Sequence, residues 1–320
     1  MNRTCAILVL NYNGRPLLEE NIPGVVAAAR YAGARHDVIV VDNASSDDSV
    51  AFVQAKFPDV KVMRMAQNRR LFSYNDAVRA CSHDYVILLN NDIRVQPDFI
   101  PPLLEGLNDP TVFATTPKVV SDNPAEACME PCPGVFHRGL LGTGRTGQPG
   151  GSGPTLMAHG GAAAYDREKF LLLGGYDITY WPEYYQDIAL SYLAWMRGYK
   201  ILFEPRSVVF HPGGATLNKM YSDGARRRIR ERGAVIFILQ NIADPGLLLQ
   251  FFLWAPPRLL KAAATGDVHR LGAYWDAARR MPLIWRARRA AQRDRKLSDR
   301  AILAALRRPA HVPDASHAPA

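Results

Sequence analysis

No run in this sequence reaches the roughly 20 consecutive apolar residues that a membrane-spanning helix needs. The two strongest candidates, "GAVIFILQNIA" and "GLLLQFFLWA", are divided by Asp244 and Pro245, and Pro256 with Pro257 is expected to end the second. The start of the chain carries only about six apolar residues before Asn11, fewer than the about 7 to 15 of a signal-peptide core, so a cytosolic start with reduced thiols is expected. Cysteine is scarce. Of four, Cys5 falls in a predicted strand and Cys81 in a predicted helix, where a free thiol packs as a small hydrophobe. Cys128 and Cys132, in "CMEPC", could form half of a zinc site, but no second ligand pair follows at useful spacing. The fingerprint G-x-G-x-x-G is missing after the first strand, which argues against a dinucleotide-dependent enzyme.

What is present is a 320-residue chain that is 48% hydrophobic, enough for a real core and far from a disordered composition. Its net charge of +9 is unevenly placed. Residues 1–218 hold 19 Lys and Arg against 22 Asp and Glu, whereas residues 219–320 hold 20 against 8, so the C-terminal third is +12 and the rest is −3. The basic residues sit beside Leu, Phe and Trp segments and in no recognised nucleic-acid motif. A basic amphipathic helical region over 219–308, peripheral on the cytoplasmic membrane surface, is therefore expected, with no nucleic acid bound and a disordered tail over 309–320; the alternative is that "GLLLQFFLWA" packs against the catalytic domain and the Arg face is solvated.

From residue 4 to about 118, apolar runs alternate with helical stretches, the pattern of a parallel sheet covered by helices. "TCAILVL", "DVIVVD", "VKVMRM", "YVILLN" and "VFATTP" are the predicted strands. Pro16 can open one helix, and Ser45 with Asp48 can cap the next. Further on, "TLMAHGGAAAYD", "YKILFEP" and "SVVFH" read as strands, "QDIALSYLAWMRG" as a helix, and the glycine-rich residues 139–154 as a linker or an acceptor-binding loop. Open sheets of this kind bind ligands beyond the carboxyl ends of their strands. There the chain places "NYNG", "DNASSDDS", "QNRRLFSYN" and, closing "YVILLNNDI" at residues 85–93, two amides and a carboxylate.

The motifs "VLNYNG", "VVDNASSDDS", "QNRRLFSYNDAV", "LLNNDI", "GGYDITYWPEYYQDIAL" and "EPRSVVFH", in this order, resemble glycosyltransferase family 2 and its rhamnosyltransferase-like branch, over about residues 4–216. The resemblance implies an α/β fold of GT-A type, a nucleotide-diphospho-sugar transferase fold with a mainly parallel central sheet, plus a C-terminal helical extension. The catalytic domain would span 1–218, with a donor half to about 118 and an acceptor half beyond.

It further implies an inverting transfer from a UDP- or dTDP-sugar to a glycan or lipid-linked acceptor in cell-envelope or surface polysaccharide synthesis, assisted by Mg2+ or Mn2+. Asp92 stands where the family holds its metal, with Asn90 and Asn91 orienting it or touching the donor. Asp42 would accept hydrogen bonds from base or ribose, though a turn role is the alternative. Leu10, Asn11 and Tyr12 would line the base, and Asn68 and Asn75 lie on the donor side. Asp187 is the candidate general base, its charged form favoured by a helix N-terminus; a helix cap is the alternative. His211 matches a histidine that assists metal or diphosphate in related enzymes, and a satisfied core histidine is the alternative.

The chain departs from the family at Gln186, Ala189 and Leu193, the last two reading as an ion pair exchanged for an apolar contact. Arg70 and Leu71 depart after Asn68, which bears on donor preference. The departures keep open an inactive nucleotide-sugar-binding module and, through the Arg-rich C-terminus, a nucleic-acid-binding protein.

Overall fold

The computed structural model describes residues 3–33, 35–122, 127–144, 151–212 and 220–307. Strands β1 (Cys5–Asn11), β2 (His36–Asp42), β3 (Lys61–Arg64) and β4 (Tyr85–Asn90) pair in parallel in the order β3-β2-β1-β4. Helices α1 (Arg15–Ala32), α2 (Ser49–Lys56) and α3 (Ser73–Ala80) connect them. Residues 5–9 of β1 are almost fully buried, and they alternate between two cores: Ala6 and Leu8 face one, Cys5, Ile7 and Val9 the other. That is why the strand reads as an unbroken apolar run.

Beyond β4 the sheet turns mixed. β10 (Ala162–Asp166) runs antiparallel to β4 and to β6 (Val112–Val120), β11 (Lys200–Phe210) runs parallel to β6, and the two-residue β5 (Arg94–Val95) closes the far edge against β11. β9 (Gly153–Pro154) adds to β11, while β7 (Gly134–His137) and β8 (Leu140–Thr143) form a separate hairpin. Helices α4 (Ile100–Gly106), α5 (Arg167–Leu172) and α6 (Gln186–Met196) complete this part. There follow α7 (Asp223–Asn241), α8 (Pro245–Ala264), α9 (Val268–Arg279), α10 (Met281–Arg293) and α11 (Asp299–Ala305). Val235, Phe237 and Ile302 of these later helices share one core with Ala6, Leu8 and Leu190.

Four local expectations are corrected. α2 begins at Ser49, and the Ser45 hydroxyl instead accepts from the Asn13 N–H at 2.9 Å, so the capping box is absent. In "TLMAHGGAAAYD" only the residues from Ala162 onward form a strand; residues 155–161 are a loop. "YKILFEP" and "SVVFH" are one strand with a register shift between Glu204 and Val208. α8 continues through Pro256 and Pro257 to Ala264, because the carbonyls left without a helical donor belong to the exposed Phe252 and Leu253. Part of the glycine-rich stretch forms β8, while residues 145–150 and the tail 308–320 lie outside the described residues.

One carboxylate ties the later helices to the sheet. Asp299, 1% exposed, accepts from the Tyr192 hydroxyl of α6 at 2.5 Å, from Arg295 at 2.6 Å, and from the backbone N–H groups of Ala243 and Asp244 at 2.8 and 2.7 Å. Removing it takes the counter-charge from Arg295 and the acceptor from two backbone amides, a class of change that costs about 3–5 kcal/mol. Asp299→Ala is expected to lower the unfolding free energy from denaturant titration by that order and to expose residues 220–307 to protease first. Cleavage beginning instead in the N-terminal half would contradict the assignment.

Candidate active site

The carboxyl ends of β1, β2 and β4 are laced together by short polar side chains. Asn11 donates through Nδ2 to Asp42 at 3.3 Å and to the Ser45 hydroxyl at 3.2 Å, and its Oδ1 accepts from Asn91 at 2.8 Å. The second Asp42 oxygen accepts the Ser45 N–H at 3.1 Å. Asn21 of α1 donates to the Asn91 carbonyl at 3.0 Å. Asn91 thus serves to fix the turn that carries Asp92. Leu10 is half-buried beside this lattice and Tyr12 is exposed at its rim.

Asp92 is buried, and no hydrogen bond reaches its Oδ1 among the described residues. That oxygen lies 3.5 Å from Nε2 of the buried His211, which follows β11. The His159 ring stands edge-on to His211, with centroids 5.9 Å apart. His159 accepts the Gly161 N–H at Nδ1, 3.2 Å away, which leaves the proton of the neutral ring on Nε2. Among the described residues no group of three or more His, Cys, Asp and Glu side chains is placed to hold a metal. A carboxylate oxygen without a donor beside an imidazole nitrogen nevertheless fits Mg2+ or Mn2+, hard ions that take few protein ligands and complete their shells with phosphate and water.

The loop before β10 joins the donor side to the candidate base. A Cβ on Gly161 would come within 2.5 Å of the Asn90 amide, and one on Gly160 within 2.9 Å of Asp187 Oδ2. Only residues without side chains let Asn90 and Asp187 close on the same strip of main chain. Sequence reading passed over His159, Gly160 and Gly161; the available signal was "HGG" interrupting a predicted strand.

Asp187 sits in the first turn of α6, behind Tyr184 and Tyr185, both with left-handed backbones. Its Oδ1 accepts the Ile188 N–H at 2.9 Å, and Tyr185 occupies the cap position. Burial pushes its carboxyl above the usual range, and backbone N–H groups, including that of Gly160, only partly oppose this. The expectation that the helix N-terminus would favour the charged form is thus outweighed by desolvation. Ala189 is buried and Leu193 packs against the same core.

Asn75 is a strut: it donates to the Tyr176 carbonyl and accepts the Tyr176 N–H, each at 2.8 Å. Asn68 accepts the Arg70 N–H at 2.9 Å. Arg70, in a left-handed conformation, pairs with the buried Glu183 and lies over the Tyr221 and Trp181 rings at 5.2 and 6.0 Å. Burial raises the Glu183 carboxyl while Arg70 opposes the shift. The departure after Asn68 therefore has a partner 113 residues away, which local reading could not supply.

A family model described as glycosyl transferase family 2 matches residues 6–172, more than half of the chain. The chain belongs to glycosyl transferase family 2. Its sheet is of the GT-A type. Among curated relatives, the undecaprenyl-phosphate 4-deoxy-4-formamido-L-arabinose transferase of Sodalis glossinidius (strain morsitans) is 30% identical over 105 residues, 31% of this chain and 32% of that protein. The poly-beta-1,6-N-acetyl-D-glucosamine synthase of Staphylococcus aureus (strain COL) is 23% identical over 68% of this chain and 52% of its own length. The chain thus spans about a third of the first relative and about half of the second. Among solved structures, the mannosyltransferase PcManGT from Pyrobaculum calidifontis, in complex with GDP-Man and Mn2+, superposes with a TM-score of 0.55 at 21% identity, over 96% of this chain and 86% of that chain. That likeness establishes the fold.

The raised Asp187 carboxyl has a consequence for stability. Such a group makes its full contribution below the ordinary value of 3.8 and loses it as pH climbs through the higher folded value, so at neutral pH the charged Asp187 costs stability. Asp187→Asn should melt higher than the unaltered chain at pH 7, by about 2 °C or more, with the gap closing near about pH 3. A variant less stable at pH 7 would overturn the burial argument.

Proposed function

We propose that this chain is an inverting glycosyltransferase that moves a hexosyl or rhamnosyl group from a nucleoside-diphosphate donor, UDP- or dTDP-linked, to a hydroxyl of a lipid-linked or glycan acceptor. The observation that carries the reading is the convergence on His159–Gly160–Gly161 of the Asp92–His211 pair, Asn90 and Asp187. A lipid-linked acceptor is favoured by the undecaprenyl-phosphate in the name of one relative, and polysaccharide synthesis by the name of the other. The reaction would then take place at the cytoplasmic side of the membrane.

Asp42 and Asn11 fix the strand ends against which base and ribose would lie. Asp92 and His211 would hold Mg2+ or Mn2+ at the donor diphosphate. When bound, the cation offsets the negative charge that the departing diphosphate acquires. Asp187 takes the proton of the acceptor hydroxyl as its oxygen bonds to the anomeric carbon. The bond from that carbon to the diphosphate breaks on the opposite face, which inverts the centre. The burial that raises the Asp187 carboxyl makes it a stronger base than a solvated aspartate.

Two variants test the assignment. Asp92→Ala should abolish Mn2+-dependent thermal stabilisation by nucleotide sugars while leaving the melting point without ligand close to that of the unaltered chain; undiminished Mn2+-dependent donor affinity would sink the metal role. Asp187→Asn should keep donor affinity and lose about 100-fold or more in transfer rate, the share of a positioned base. Transfer at close to the normal rate would put the base elsewhere.

A further inference from the structure

The outer face of α8 is unlike that of a solvated helix. Leu249, Phe252, Leu253, Pro256, Pro257 and Leu260 are all exposed, Leu253 by 63% and Leu260 by 71%. At 100° per residue these six fall within an arc of about 140°, and no charged residue lies inside it. The opposite face, with Leu247, Phe251 and Ala262, is buried against the protein. Among the described residues no helix is long and apolar enough to cross a membrane. The arc is therefore an apolar surface that the described residues leave uncovered along about 16 Å of helix.

The next two helices add aromatic rings and charge. Trp275 of α9 and Trp285 of α10 are 63% and 55% exposed. Every Asp and Glu between residues 220 and 307 already faces an arginine within 4.0 Å. Arg286, Arg289 and Arg293, spaced along one side of α10, are exposed and make no ion pair among the described residues. Among the described residues the region thus pairs its own acids completely and retains a surplus of arginine that an anion from outside can meet.

We propose that α8 docks in the surface of an anionic lipid bilayer, its apolar arc among the acyl chains nearest the headgroups and the surplus arginines of α10 drawn to headgroup phosphates. A soluble polyanion would satisfy the arginines and leave the arc in water. A second copy of the chain would cover the arc by bringing two strongly basic regions together, which repel. A negatively charged bilayer answers both features at once. Docking also has a fixed relation to the β7–β8 hairpin. The backbone of Phe251 on α8 lies so close to Gly139 that a Cβ there would meet it at 2.4 Å, and Arg258 of α8 donates to the Arg138 carbonyl at 2.7 Å. The β7–β8 hairpin is thereby clamped to the docking helix.

The test is flotation of the full chain with vesicles, which needs no turnover and so stands apart from the transferase reading. Phosphatidylcholine vesicles are compared with vesicles carrying phosphatidylglycerol as about a third of the lipid, at low and high salt. The chain should float with the anionic vesicles and be released by salt. Leu253→Glu with Leu260→Glu, both at exposed positions, should weaken binding about tenfold or more at an unchanged melting point. Arg286→Glu, Arg289→Glu and Arg293→Glu together should weaken it about a hundredfold and remove most of its salt dependence. The proposal is overturned by a chain that stays unbound at low salt, by leucine variants that float as well as the unaltered chain, by RNA competing the chain off the vesicles without loss in the leucine variants, or by a dimer that Leu253→Glu dissociates.

Discussion

A carboxylate taken out of water needs hydrogen-bond donors or a cation, and the arrangement around Asp92 is built on that requirement. β4 is buried on both faces up to Leu89, so the turn that follows emerges still inside the protein. Asn91, held by Asn11 and Asn21, sets the direction of that turn, and Asp92 arrives with an oxygen that no donor meets among the described residues. The ends of β1 and β2 are arranged around the same turn through Asn11, Asp42 and Ser45. β11 brings His211 to it from the far half of the sheet. A site that withholds protein donors from a carboxylate spends stability to keep that oxygen available, the expected signature of a position kept for chemistry.

Asp187 meets the same physics with the opposite outcome. Its oxygens find backbone N–H groups, yet burial still dominates, leaving a carboxyl that holds its proton more readily than a solvated one. The two carboxylates are thus set apart by their surroundings: one beside an imidazole and suited to a cation, the other suited to exchange a proton. Gly160 and Gly161 allow the two environments to lie within one short strip of backbone.

The strands and the carboxylates at their ends were legible in the sequence because each depends on its immediate neighbours. An apolar run that stops on polar residues reports burial and a strand end together, which places Asp42, Asn90 and Asp92 without reference to the rest of the chain. What could not be read is what depends on distant segments meeting. Arg70 finds Glu183, Asn75 finds Tyr176, and Asp299 gathers Tyr192, Arg295 and the backbone at residues 243–244, none of which leaves a periodic trace. The loop at His159–Gly161 was mistaken for strand because its Ala-rich continuation is one, and alternation says little about where a run of small residues leaves the sheet. α8 was cut short because proline within a helix is usually disruptive; here the broken hydrogen bonds fall at exposed residues.

The Asp299 network bears on how this chain could be recombined with others. A boundary drawn at the change of composition near residue 219 looks like a seam at which one C-terminal module could be exchanged for another. Tyr192, however, stands on the same helix as Asp187, five residues further along, and its hydroxyl is bonded to a residue of the last helix. A chimaera joined at the apparent seam would bring a foreign partner to Tyr192 and disturb the helix that carries Asp187. The unit that can be inherited intact includes the last helix, so the catalytic half and its C-terminal helices are expected to diverge together.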